Sequence, residues 1–328
     1  MTNRRRLLMS ACSGLLSLCA WPELGRTKPN YPLRPIRLVV PFVPGGVVDV
    51  TARLWADKMT GLLGTIVPEN RGGASGMIGA REVANANADG YTLLFGNTST
   101  QLLQPLIAPN PDFDPRQSFA PISIFVNSAI AIVVNPTVPA KRLDELIAYI
   151  KNRSEQTTYG SPGTRTLTNV AGELLKRLAN LPHFVHVPYK GGGQSVVDLI
   201  GGHISVLMIA ITPEILELHR TGKARIIATF NAEPLSFAPE LGRVCEYIPD
   251  LIVTLWMGVF APARTPTDVL AIVGGAQRKL RTDEAFKKRL EDAGFEPILN
   301  GPEEAQQFLD KDYGRLASLI HRTGLKLE

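Results

Sequence analysis

Cysteine is scarce in this 328-residue chain, and its placement makes it scarcer: Cys12 and Cys19 lie near the start, leaving Cys245 alone in the body of the chain. That excludes a disulfide framework and a metal site built on several thiolates. Histidine is thin too, at five residues, and the one close pair, His183 and His186, falls on an expected strand, where residues three apart face opposite sides. A metal site is therefore not expected. No G-x-S-x-G elbow occurs, and no Cys–His pair stands near a plausible third partner. Aromatics amount to 7% and low-complexity tracts are absent, whereas 45% apolar and 20% charged residues is the balance of a folded globular chain. At this length two domains of ordinary size are expected, each with its own core.

The net charge of +5 could suggest a nucleic-acid or membrane partner, but its distribution removes that reading. In residues 1–30, Arg4, Arg5, Arg6, Arg26 and Lys28 against Glu23 carry +4, so the remainder is close to neutral at +1. Arg4-Arg5-Arg6 precede an apolar run from Leu7 to Ala20, too short to span a bilayer but suited to the h-region of an export signal. Residues 1–30 thus read as an export signal and N-terminal linker, of Sec or twin-arginine type, and the mature protein as periplasmic. Leu18 before Cys19 spoils a lipoprotein box. Cleavage is expected between Cys19 and Tyr31.

The body of the chain alternates strand and helix patterns. Ile36 to Pro41 is a continuous apolar strand; Ala52, Trp55, Met59, Leu62 and Leu63 follow helical spacing until Gly64. A strand at Thr65 to Pro68, a helix from Gly76 to about Asn87 and a strand at Tyr91 to Gly96 complete a βαβαβ unit, which implies a parallel sheet covered by helices. Ile122 to Asn135 is apolar and long enough to run from one domain into another. A second α/β series follows, with helices at 142–151, 166–181, 195–200 and 213–220 and strands at 158–160, 184–188, 206–211 and 225–229. Leu255 to Pro262 reads as the return crossing, and helices at 267–282, 284–293 and 303–323 close the chain. The expected division is a first lobe of residues 31–126 plus 256–328 and a second of 127–255. Two crossings make a hinge, with ligand in the cleft at the strand C-termini.

Four strand-to-helix loops suit a small anion: Phe42 to Asp49, Gly96 to Thr100, Tyr159 to Thr166 and Pro188 to Gln194. Free amides and the positive dipole end at a helix start favour anions, and Gly45 and Gly46 permit close approach to the main chain. Asp49 reads as a first-turn carboxylate serving cap or dipole rather than a ligand. Lys190 reads either as a ligand partner or as a solvated rim residue, and Tyr189 as a ligand cover or as core. Gly73, Gly76 and Gly79 are wrongly spaced for a dinucleotide fingerprint. Glu173, Asp198 and Glu217 occupy solvent-type helical positions, and no catalytic set assembles. The chain is not expected to be an enzyme or to carry a cofactor.

The leader followed by Tyr31-Pro32-Leu33-Arg34-Pro35-Ile36, then Pro41-Phe42-Val43-Pro44-Gly45-Gly46-Val47-Val48-Asp49, Glu69-Asn70-Arg71-Gly72-Gly73-Ala74-Ser75-Gly76 and Asp89-Gly90-Tyr91-Thr92-Leu93, resembles the Bug-type (TctC-like) extracytoplasmic solute receptors of tripartite tricarboxylate transporters. Tyr159-Gly160-Ser161-Pro162-Gly163, Val187-Pro188-Tyr189-Lys190-Gly191 and Trp256-x-Gly258-x-x-Ala261-Pro262 extend the likeness along the chain. The resemblance implies an α/β, two-lobed periplasmic binding protein fold of type II-like form, hinged by two crossing strands. It implies a monomer that takes a small carboxylate and hands it to transporter membrane subunits, with no nucleic-acid partner. Carried onto this chain, Phe42, Gly45, Gly46 and Val47 with Tyr189, Lys190, Gly191 and Gly192 would hold one carboxylate through main-chain groups and ordered water. Asn97, Thr98, Ser161 and Thr164 would meet the far end of the ligand. Two departures stand out: Thr166-Leu167-Thr168-Asn169 where Ser-x-x-His is frequent, and Ile209-Ala210 where an Asp is frequent. Losing that acid removes a partner for a ligand ammonium and points to a carboxylate that bears no amine. A ligand sensor for a signalling partner, or less readily a secreted α/β hydrolase, remains open.

Overall fold

Four of the five residues of β1 (Ile36–Val40) are withdrawn from water, which places this apolar run inside a sheet rather than at its edge. The computed structural model describes residues 31–107 and 113–325. The export-signal reading, with Cys12 and Cys19, lies outside the described residues. After β1 come α1 (Val47–Leu63), β2 (Ile66–Asn70), α2 (Met77–Ala84) and β3 (Thr92–Asn97), with β1 pairing parallel to both β2 and β3. Helix α1 buries Ala52, Trp55, Ala56 and Met59 on one stripe, and Gly64 ends it at φ +78°, a conformation that favours glycine. Between β3 and the next strand the chain forms a π-helical turn over Ser99–Leu103, then α3 (Gln104–Ile107) and α4 (Pro115–Ser118).

The long apolar run divides at Ala129. Its first part is β4 (Phe119–Ser128) in one sheet and its second is β5 (Ile130–Val134) in another. The second sheet is completed by α5 (Leu143–Lys151), β6 (Thr157–Ser161), α6 (Leu167–Leu178), β7 (Phe184–Pro188), α7 (Gly192–Ile200), β8 (Val206–Ala210), α8 (Pro213–Arg220) and β9 (Arg225–Thr229). The chain then returns as β10 (Leu255–Pro262), followed by α9 (Thr267–Arg278), α10 (Glu284–Asp292), β11 (Phe295–Pro297) and α11 (Pro302–Thr323). Strand order is β11-β4-β10-β3-β1-β2 in one sheet and β7-β6-β8-β5-β9 in the other.

Neither sheet is purely parallel, contrary to the expectation from the βαβαβ pattern. β10 runs antiparallel to β3 and β4, and β5 antiparallel to β8 and β9. The strands next to the crossings carry these pairings, so the wholly parallel part is confined to β2-β1-β3 and β7-β6-β8. Helix α11 packs Leu316, Leu319 and Ile320 into a core that also holds Leu174 and Leu175 of α6, and Arg177 of α6 donates to the carbonyls of Thr323 and Gly324.

Candidate functional site

All four predicted loops follow the C-terminal ends of strands: β1, β3, β6 and β7. In the first, Gly45 takes φ +79° and its amide donates to Asp49 Oδ2 at 2.9 Å. Asp49 Oδ1 also accepts from Asn70 Nδ2 at 2.8 Å and Arg53 Nε at 3.0 Å. Burial by itself would raise the Asp49 carboxyl, but hydrogen bonds from Arg53, the Gly45 amide and Asn70 outweigh it and hold it below its ordinary value. Asp49 is thus a loop-holding residue at the helix start, only 3% exposed, and it takes the Gly45 amide for itself. The amides of Gly46, Val47 and Val48, at the start of α1, meet no acceptor among the described residues. Four such donors are left over at any helix start.

The other loops set several of the expected residues in bonds within the chain. The Thr98 hydroxyl donates to the Thr254 carbonyl at 2.9 Å and accepts from the Trp256 amide at 3.1 Å, so it ties β3 to the return crossing; at 1% exposure it is committed there. Asn97 Oδ1 accepts from the Thr100 amide and turns its own loop. Ser161 is wholly buried, donating to the Gly163 carbonyl at 2.9 Å and lying 2.7 Å from His186 Nε2. Thr164 is exposed. The Tyr189 hydroxyl donates to Asp198 Oδ2 at 2.8 Å, and burial followed by that bond pushes it up to about 12. Lys190 is exposed and makes no ion pair among the described residues.

Helix α7 starts at Gly192, three residues ahead of the expected Ser195, because the apolar pattern begins only at Val196 while the first turn needs no apolar residue. The amides of Gly192 and Gly193 therefore open a helix and meet no acceptor among the described residues. Gly191 sits at φ +124°, where a Cβ would lie 3.8 Å from a Val43 methyl. The loops that lead into α1 and α7 thus approach each other at Val43 and Gly191.

Three more contacts join the two sides, and the sequence pattern signalled none of them. Ser75 Oγ donates to the Thr164 carbonyl at 3.0 Å, Gln104 Nε2 to the Arg165 carbonyl at 2.9 Å, and Ser99 Oγ accepts from the Leu167 amide at 3.2 Å. The Ser161–His186 pair was likewise hidden, since it depends on the parallel register that sets Ser161 beside Pro188 and His186 beside Tyr159. All three acids expected at solvent positions have partners: Glu173 accepts from Tyr159 at 2.5 Å, Asp198 from Tyr189 and the exposed Glu217 from Arg220. Among the described residues no group of three or more His, Cys, Asp or Glu is placed to hold a metal.

Burial lowers the His186 pKa below the ordinary histidine value, with nearby Lys176 adding to the effect and Glu173 opposing it. The unfolded chain then takes up the proton first, so this contribution to stability is complete above about pH 6.5 and is lost as pH falls to the folded-state value. His186→Gln is expected to flatten the stability loss below about pH 6.5, read by urea unfolding across that range. An unchanged slope would show that His186 titrates alike in both states.

Two lobes of mixed α/β sheet, joined by crossing strands and meeting at facing strand-end loops, define a periplasmic binding protein. The chain belongs to the tripartite tricarboxylate transporter receptor family (TctC), whose family model matches residues 51–325. It is similar to Protein BugT of Bordetella pertussis, at 30% identity over 329 residues, covering 99% of this chain and 100% of that protein. An R. palustris protein solved with adipate is 26% identical with a TM-score of 0.83, covering 90% of this chain and 99% of that one. MatC from Rhodopseudomonas palustris with bound malate is 26% identical with a TM-score of 0.80, covering 88% and 100%. Among the described residues no helix is long and apolar enough to cross a membrane. The chain's role is accordingly that of a solute-binding receptor.

Proposed function

We propose that this receptor captures a small carboxylate between its lobes outside the cytoplasm and delivers it to tripartite tricarboxylate transporter membrane subunits, acting as a monomer and not as an enzyme. The observation that carries this reading is the open amides at the starts of α1 and α7, which have no acceptor in the described chain and whose entry loops meet where Gly191 lies against Val43. Such amides, each at the positive dipole end of a helix, suit a carboxylate. One carboxylate would be held by the main chain of Gly46 and Val47 with Gly191 and Gly192, between Phe42 and Tyr189, with Lys190 at the rim. The far end would lie toward Asn97 and Thr164, while Gly45, Thr98 and Ser161 shape the site through the bonds described. The moving bodies would be 31–126 with 256–328, and 127–255.

The acids around the cleft are spent: Asp49 on Gly45, Arg53 and Asn70, Asp198 on Tyr189, and Glu173 on Tyr159. A Cβ on Gly192 would lie 3.3 Å from Ile209, so the wall beneath α7 is apolar where a family acid is frequent. A ligand ammonium would find no counter-charge there, and we therefore expect a carboxylate without an amine. Binding at a micromolar Kd needs about 8 kcal/mol, which several amide bonds to a charged ligand at roughly 1.5–3 kcal/mol each can supply.

The test is thermal unfolding against mono-, di- and tricarboxylates, malate and adipate included, with aspartate and glutamate as amino counterparts. A ligand at 100 times its Kd should stabilise by about 2.7 kcal/mol. Equal or larger shifts with aspartate than with dicarboxylates would overturn the ligand class. No shift with any carboxylate, together with turnover of an ester, would replace the receptor reading with hydrolysis at Ser161 and His186.

A further inference from the structure

The segment Glu69 to Gly76 has no part in the ligand set above, yet it lies directly against the first loop. Val40 and Asn70 are register partners, so Asn70 leaves the sheet where that loop begins. Its Nδ2 donates to the Phe42 carbonyl at 3.0 Å and to Asp49 Oδ1 at 2.8 Å. Arg53 closes the cluster, with Nε on the Asp49 carboxylate and Nη2 on Asn70 Oδ1 at 3.0 Å. Below it the Arg71 amide donates to the Val40 carbonyl, and a Cβ on Gly72 would come within 3.3 Å of the Phe42 and Val43 backbone.

Both ends of the turn are therefore held, Phe42 by Asn70 and Gly45 by Asp49, through two side chains bonded to each other. A Pro- and Gly-rich loop left to itself samples many conformers, and ordering it would subtract from binding. With the Gly45 amide turned onto Asp49, only the amides from Gly46 onward are offered to the cleft. We infer that Asp49, Arg53 and Asn70 form a clamp that presets the first loop for its ligand. Asp49 and Asn70 are positioning residues, acting through the backbone they hold. This rests on the carboxylate reading above.

Two measurements test it. In the ligand-free protein, the Gly45 amide should exchange slowly with deuterium in wild type and lose that protection in D49N and N70A. With malate or adipate as probe, whichever wild type binds, N70A should weaken binding about tenfold, equivalent to 1.4 kcal/mol. N70D keeps the size of the side chain and an oxygen facing Arg53 but cannot donate to the Phe42 carbonyl or to Asp49, so it should weaken binding at least as much as N70A, a loss that side-chain volume alone would not produce. An unprotected Gly45 amide in wild type, unchanged Kd in N70A, or wild-type Kd in N70D would each overturn the clamp. If wild type binds no carboxylate, the proposed function fails, while Gly45 exchange still decides the clamp.

Discussion

Gly46→Phe is expected to abolish carboxylate binding while leaving the melting temperature nearly unchanged. Gly46 has φ −77° and ψ 166°, an extended conformation open to any residue. A Cβ there would meet only the Val43 carbonyl, at an ordinary 3.6 Å, so the backbone accepts a Cβ without a clash. Substitutions at such sites usually stay within about 0.5 kcal/mol. A ring on residue 46, however, would crowd the open amides at the start of α1. Losing two bonds to a charged ligand at roughly 1.5–3 kcal/mol each weakens binding by at least two orders of magnitude. Calorimetric titration beside a melting curve separates the cases: unchanged affinity takes the first loop out of the site, and a collapsed melting temperature makes Gly46 structural.

Asp312→Ala should be among the most destabilising single changes, because it strips two partners at once. Asp312 on α11 accepts from the indole of Trp256 at 2.8 Å, and the Trp256 side chain is wholly buried. It also pairs with Arg315, whose guanidinium donates to the Ile252 carbonyl and, at 2.7 Å, to the Thr254 hydroxyl. Since the Thr254 carbonyl in turn accepts from Thr98, the cluster fastens the return crossing to both β3 and α11. An orphaned buried indole N–H costs about 1–3 kcal/mol. Breaking a buried pair from one side costs about 3–5 kcal/mol, and Arg315 belongs at the low end because its side chain keeps 32% exposure. A loss of about 3 kcal/mol is expected by urea unfolding. Asp312→Asn, which can still accept from the indole, should lose clearly less. Equal losses in the two variants would mean that the charge, not the indole bond, matters.

The parts of this molecule that were legible in one dimension are those whose causes are local. Strands β7, β9 and β10 and helix α8 begin and end where the sequence pattern places them, since apolar periodicity and flanking Pro, Thr or Gly act within a few residues. The π-turn over Ser99–Leu103 and the three-residue β11 escaped notice because neither repeats long enough to show a period. The early start of α7 escaped because its first turn is glycine, whose intrinsic preference opposes a helix.

The loops proposed to carry the site were likewise plain in the sequence, because Gly and Pro runs after apolar strands mark where a backbone turns and can be approached. What those loops offer a ligand was decided by tertiary structure. Thr98 gives its hydroxyl to a carbonyl 156 residues away, Ser161 meets a histidine 25 residues away, and Asn70 reaches the Phe42 carbonyl 28 residues back. Each bond depends on strand register and on where the two crossings fall, and neither is a property of any short stretch of chain. The sequence alone determined that four anion-suited loops exist and in what order. Only the fold decided which of their amides stay open, because a buried polar group takes whichever partner the packing brings within reach.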